Sequence, residues 1–255
     1  MKREYRFSYR VPRASSLLAA ALWLTATMVT AAPPEQSSQP TASPASVKPK
    51  QSRTLGIVLY PKFELLDVYG PAEIFGNLGP RLKIVMAAQT AGPIASAQGP
   101  QVVADVGFED CPELDLLLVP GGFGTFSELN NQGLLDWLKA RAAKAEITMS
   151  VCSGSALLAK AGLLDGRRAT SNKRYFKFAT DQGPKVEWVR EARWVDDGDR
   201  VTSSGVSAGI DMALAVVERL YGTKTAESIA DGTEYQWHRD ATSDPFAKPA
   251  KEPAK

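Results

Sequence analysis

Cys152 stands between an apolar run, residues 147–151, and a helical pattern that opens with Ser153-Gly154. Enzymes place nucleophiles at such strand-to-helix turns, because the turn presents the side chain clear of both elements. The general pattern is G-x-nucleophile-x-G. Here it reads Ser150-Val151-Cys152-Ser153-Gly154, with a small serine in place of the first glycine. A helix N-terminus behind the sulfur would aim free N–H groups and a positive dipole end at it, which predicts a lowered thiol pKa. The pattern alone fits a structural cysteine in a buried turn equally well.

Three further features bear on what Cys152 could do. The segment "FELLDVYGPAEIF" carries Glu64, Asp67 and Glu73. Asp67 lies among Leu65, Leu66 and Val68, so it is either a helix-start acid or a carboxyl in partly apolar surroundings. A carboxyl and a thiol cannot share a site with both charged without cost, and a Cys152 thiolate beside a protonated Asp67 avoids that cost. The turn "PGGFG" is by itself an ordinary strand-to-helix connection. Beside Cys152, the N–H groups of Gly122 and Ser153 would form an oxyanion hole. Phe123 is a pocket candidate in the same turn. The chain has one histidine, His238, next to a polar C-terminal run and expected at the surface.

Positioning these groups requires strands that end together. Residues 55–60, 81–89, 114–122 and 147–151 are largely apolar runs, and helical patterns separate them. That alternation predicts an α/β fold with a mostly parallel sheet covered on both faces. Sites then form at the carboxyl ends of the strands, where the loop after Tyr60, the turn after Pro120 and the turn at Cys152 converge. A helix is expected over 68–78 with Pro71 in its first turn, and another over 127–144 capped by Ser127. Hairpins are expected at Gly99-Pro100 and Asp197-Gly198.

The ends of the chain read differently. Residues 1–31 combine a basic head with a short apolar stretch and "TAAPP", the order of a secretory signal peptide cleaved after Ala31. Export to the periplasm or beyond follows, with no stable membrane insertion after cleavage. Those 31 residues hold five basic side chains and Glu4, a net of +4 against +2 for the whole chain, so the remainder is about −2. The basic balance is therefore no argument for nucleic acid. Residues 32–53 read as a Pro/Ser-rich disordered linker, 54–238 as the domain, and 239–255 as a flexible tail. Cys111 and Cys152 fall at opposite ends of neighbouring strands, about 17 Å apart on a five-residue strand, too far for a disulfide. One histidine and two separated cysteines make no metal cluster. The phosphate-loop Lys-Ser/Thr and G-x-G-x-x-G are missing, so no cofactor is expected.

With these residues in view, the chain resembles the ThiJ/PfpI family of the class I glutamine-amidotransferase-like superfamily, and most of all its isonitrile hydratase branch. The segments that carry the likeness are "LLDVYGPAEIF", "CPELDLLLVPGG", "SVCSGSALLAKAGLLDGRRAT" and "SGVSAGIDMALAVVERL", spread over residues 55–235. The resemblance implies a flavodoxin-like three-layer sandwich with a nucleophile elbow, and a homodimer. It puts the nucleophile on Cys152, the acid on Asp67 and the amide donor on Gly122. Ser153 stands where isonitrile hydratases carry Thr. Their His-aromatic pair after "RATT" is replaced by Asn172 and Lys173 in "RATSNKRYF", a segment expected to border the pocket. The superfamily's proteases and amidotransferases hold a histidine at or near the nucleophile, and Ser153 after Cys152 disfavours peptidase and glutaminase chemistry.

The small-molecule electrophile acted on is then an isonitrile, hydrated to an N-formamide by a Cys152 thiolate with Asp67 as acid. A glyoxalase-like or deglycase-like reaction on small carbonyls would use the same pair. A non-catalytic periplasmic thiol sensor is the third reading, since an exposed low-pKa cysteine is readily oxidised.

Overall fold

The computed structural model describes residues 52–247. The expected signal peptide, nearly all of the expected linker and residues 248–255 lie outside the described residues. Strand β1 is Arg53–Val58, followed by helix α1, Leu65–Gly76. Next come β2 (Leu82–Ala88), the hairpin β3 (Gly92–Ala95) and β4 (Gln101–Ala104), and the short β5 (Val106–Gly107). Strand β6 (Leu116–Val119) leads to α2 (Thr125–Glu128) and α3 (Gln132–Ala142). Strand β7 (Ile147–Ser150) leads to α4 (Gly154–Lys160). After these come β8 (Arg168–Ala169), α5 (Phe176–Thr180), β9 (Glu187–Trp188), β10 (Trp194–Asp197) and β11 (Arg200–Ser203). Helices α6 (Ala208–Tyr221) and α7 (Thr223–Gly232) complete the order.

Seven strands form the central sheet in the order β10-β11-β7-β6-β1-β2-β5. All neighbours are parallel except β10 and β11. Every residue of β6 and β7 is buried, as central strands covered on both faces must be. Helices α1, α6 and α7 pack together as one layer, and α2, α3, α4 and α5 as the other. The flavodoxin-like three-layer sandwich expected above is the observed architecture. Both hairpins form where Gly99-Pro100 and Asp197-Gly198 placed them.

Several boundaries differ from the sequence reading. Helix α1 starts at Leu65, so Pro71 is interior rather than in the first turn. Its missing N–H leaves the Asp67 carbonyl without the usual helical partner. Ser127 caps nothing, because it lies inside α2; Asn131 caps α3, its Oδ1 accepting from Leu134 N at 3.1 Å. The folded domain begins at Arg53, one residue before the expected boundary at Thr54. Arg53 belongs to the fold because it is 2% exposed and its guanidinium donates to both Glu146 carboxylate oxygens, at 2.7 and 3.1 Å.

The C-terminal run expected to be flexible from residue 239 is held as far as Ala247. Ala241 O accepts from Arg193 N at 2.8 Å, and Asp244 N donates to Glu191 O at 2.8 Å. Polar composition suggested a tail, but backbone pairing does not depend on apolar side chains.

Glycine is required at the elbow. A Cβ on Gly154 would collide with the Val119 carbonyl oxygen and lie 2.7 Å from that of Pro120, both of them rigid backbone. Gly154→Ala is expected to cost about 3 kcal/mol or more. Urea unfolding checks this, and a midpoint near wild type would show that the elbow can yield.

Candidate active site

Cys152 sits two residues after the end of β7 with φ +58°, a left-handed conformation that non-glycine residues seldom adopt. Three neighbours hold it there. Its N–H donates to Ser204 O at 3.1 Å, and its carbonyl accepts from Ser155 Oγ at 3.2 Å and Ser171 Oγ at 3.1 Å. The strain is thus held by one bond from its own turn and by bonds from two separate segments, as at functional turns. Cys111 is also a free, buried thiol, and the two cysteines form no disulfide.

The sulfur accepts from Asn172 Nδ2 at 3.1 Å. Asn172 is fixed for this by its other amide atom, since Oδ1 accepts from Arg174 N at 2.9 Å and Tyr175 N at 3.2 Å. Burial pushes the Cys152 thiol well up, and the Asp67 charge adds to that, while the Ser153 N–H and the Asn172 amide oppose it. This corrects the lowered pKa expected from the helix dipole. Helix α4 has only seven residues, and a short dipole does not offset loss of solvent around a residue that is 5% exposed.

Asp67 reaches the same place from the first turn of α1 and is fully buried. Its Oδ2 accepts from Gly121 N at 2.7 Å, whereas Oδ1 has no well-formed hydrogen bond among the described residues and faces the Cys152 thiol. Burial raises its pKa well above the carboxylate range; the Gly121 N–H and the Cys152 thiol only partly oppose this, and the Glu64 charge adds to it. A neutral carboxyl with its proton on Oδ1 is the form that suits these surroundings.

Ser153 and Gly122 lie beside the sulfur, engaged with each other. Gly122 N donates to Ser153 Oγ at 3.1 Å, and Thr125 Oγ1 lies 3.1 Å from the same oxygen. In this conformation the Gly122 amide is committed to a side chain, so of the two expected oxyanion donors the Ser153 N–H is the one that faces the sulfur. Tyr60 extends the hydroxyl chain, 3.2 Å from Thr125 Oγ1, and donates to Pro120 O. His238 takes no part in this cluster; its Nε2 lies 3.2 Å from Ser243 O.

A cavity of about 230 Å³ opens over Cys152, Ser153 and Gly122. Phe123 and Asn172 line it as expected, and Phe126, Tyr175 and Val206 join them, with Glu64 and Arg174 also at its wall. Phe126 and Tyr175 meet edge to face with centroids 6.2 Å apart. A volume below the range of drug-sized pockets suits a small, largely apolar molecule. The sequence reading missed Phe126, Tyr175 and Arg174; the aromatics spaced through "FGTF" and "RYFKF", on either side of the nucleophile, were the available signal. Among the described residues, no group of three or more His, Cys, Asp or Glu could hold a metal ion, and no helix is long and apolar enough to cross a membrane.

Comparison with known proteins gives concordant matches. The model of the DJ-1/PfpI family matches residues 53–219. An isonitrile hydratase of Pseudomonas putida is 36% identical over 181 residues, covering 71% of this chain and 78% of that protein. The HTH-type transcriptional regulator CdhR of Pseudomonas aeruginosa is 31% identical over 140 residues, 55% of this chain but only 41% of the regulator. Among solved structures, a ThiJ/PfpI family protein from Pseudomonas syringae superposes with a TM-score of 0.65 at 32% identity, over 78% of this chain and 82% of that one. Drosophila melanogaster DJ-1beta shares the fold, with a TM-score of 0.64 at 21% identity over 73% of this chain and 100% of its own.

Proposed function

The chain belongs to the DJ-1/PfpI family, and from that premise we propose that it is a cysteine-dependent hydro-lyase that converts an isonitrile and water to an N-substituted formamide. The observation that carries the reading is the fully buried carboxyl of Asp67, its pKa raised by burial, beside the Cys152 thiol, which has no histidine to activate it. That pair suits an electrophile that must gain a proton as it is attacked.

The steps balance as follows. The Asp67 proton passes to the isonitrile carbon while Sγ bonds to that carbon, and the thiol proton passes to the Asp67 carboxylate. This gives a thioimidate with Asp67 protonated again. Water then adds to the thioimidate carbon, Asp67 protonates the nitrogen, and a water proton returns to Asp67. The carbon–sulfur bond breaks as the remaining hydroxyl proton moves to sulfur, releasing the formamide and the free thiol. Asn172 and the Ser153 N–H stabilise sulfur whenever it carries charge. The aromatic walls hold the substituent.

The same proposal keeps the protein exported and homodimeric, on the strength of the N-terminal basic-apolar pattern and the family resemblance. Incubation of the purified chain with an aryl isonitrile and, separately, with methylglyoxal tests the chemistry. Mass spectrometry is expected to find formamide from the first and no lactate from the second. The reverse result would replace the hydro-lyase with a glyoxalase.

A further inference from the structure

The segment after α7 lies beyond the residues that the family model matches, yet it reaches the nucleophile's surroundings. His238 N donates to Asp211 Oδ1 at 2.9 Å, and Ala241 O and Asp244 N pair with Arg193 and Glu191. These bonds deliver Asp244 to a buried position, 5% exposed. Its Oδ1 accepts from Phe246 N at 2.9 Å. Among the described residues its Oδ2 has no hydrogen-bond partner, and the Lys173 ammonium lies 3.8 Å away.

Lys173 is itself buried, and its Nζ donates to Thr170 Oγ1 at 2.8 Å, Ala192 O at 2.6 Å and Ser171 O at 3.4 Å. It therefore ties together the run that touches Cys152, in which Ser171 Oγ holds the Cys152 carbonyl and Asn172 Nδ2 holds its sulfur. Burial pulls the Lys173 pKa down to about 8 and Asp244 opposes this, with Arg190, Glu191 and Arg193 as the other charges facing it. A buried ammonium needs its countercharge to stay charged.

We propose that Asp244 is a positioning residue for the nucleophile: through the Lys173 ammonium it fixes the 170–173 run and so keeps the Asn172 amide on Cys152 Sγ. The C-terminal segment is then part of the reactive site. This inference needs only that Cys152 is the reactive thiol, and it does not rest on the isonitrile reading.

The test follows alkylation of Cys152 by iodoacetamide across pH in the full chain, read by peptide mass spectrometry so that Cys111 is scored apart. The other titratable or charged groups around the sulfur are Asp67 and Tyr60, with Glu64 and Arg174 at the cavity wall, and all four stay the same in wild type and variants. Asp244→Asn is expected to move the midpoint of the profile upward by roughly half a pH unit, the effect of weakening one hydrogen bond to the thiolate. Asn172→Ala should move it in the same direction, and the double variant no further. Asp244→Glu should restore the wild-type midpoint. Simple loosening of the fold would change access and scale the whole profile without moving its midpoint. Should Asp244→Asn not fold, the paired change Lys173→Met with Asp244→Leu removes the buried charges together, which folded proteins commonly tolerate, and the same upward shift is expected. An unmoved midpoint in the variant that folds, or full additivity with Asn172→Ala, overturns the proposal.

Discussion

Cys152→Ala is expected to lose isonitrile turnover by at least about 10³-fold, with the fold retained. The size follows from the role: no other thiol lines the cavity, and losing a covalent nucleophile forfeits the step it opens. Retention of the fold follows from the surroundings. The bonds that pin this residue run through its backbone N–H and carbonyl, which alanine keeps. Alanine also keeps a Cβ at φ +58°, so it inherits the strain. Cys152→Gly removes the sulfur and the strain together and should be the more stable of the two variants by about 1 kcal/mol. Formamide release and urea unfolding of both variants check the pair of statements. Turnover retained in Cys152→Ala would end the covalent mechanism.

Much of the frame was readable because it depends on local pattern. The apolar runs within 114–122 and 147–151 are too short for helices and too continuous for edge strands, and the elbow was visible from Cys152, Ser153 and Gly154. What escaped depends on contacts distant in sequence. No spacing rule joins Asp244 to Lys173, because polar residues near a chain end look alike whether or not backbone pairing holds them. Proline favours a helix start and the pattern places Pro71 there, but α1 begins six residues before it, and the extra turn carries Asp67. The thiol pKa departs from the sequence expectation for an energetic reason. The helix behind it was visible in sequence and its burial was not, and burial is the larger effect on Cys152. Only the folded chain shows a carboxyl and a thiol sharing a buried site, with one side-chain amide, that of Asn172, donating to the sulfur.

Asp67→Asn separates protonation from positioning at that site. Asparagine can still accept the Gly121 N–H through its carbonyl oxygen, so the geometry should survive. It carries no transferable acid proton, and turnover should fall by about 10²–10⁴-fold, the usual contribution of a general acid. Stability should move the other way. The Asp67 pKa is raised in the folded chain, so folding favours its protonated form. The resulting stabilisation is fully present below about 3.8, its ordinary value, and is lost as pH rises through the folded pKa. Asparagine has no such dependence. The difference in unfolding free energy, variant minus wild type, should therefore grow in the variant's favour from about pH 4 towards neutrality, the range over which a buried carboxyl titrates. The thiol provides a third readout. At the alkaline pH where the raised thiol titrates, an ionised Asp67 opposes the thiolate, so replacing it with a neutral amide should lower the pH midpoint of Cys152 alkylation, making the sulfur more reactive in a variant that turns over less. A variant with full turnover would remove Asp67 from the chemistry, and one whose thiol profile did not move would show that the carboxyl and the sulfur do not share a field.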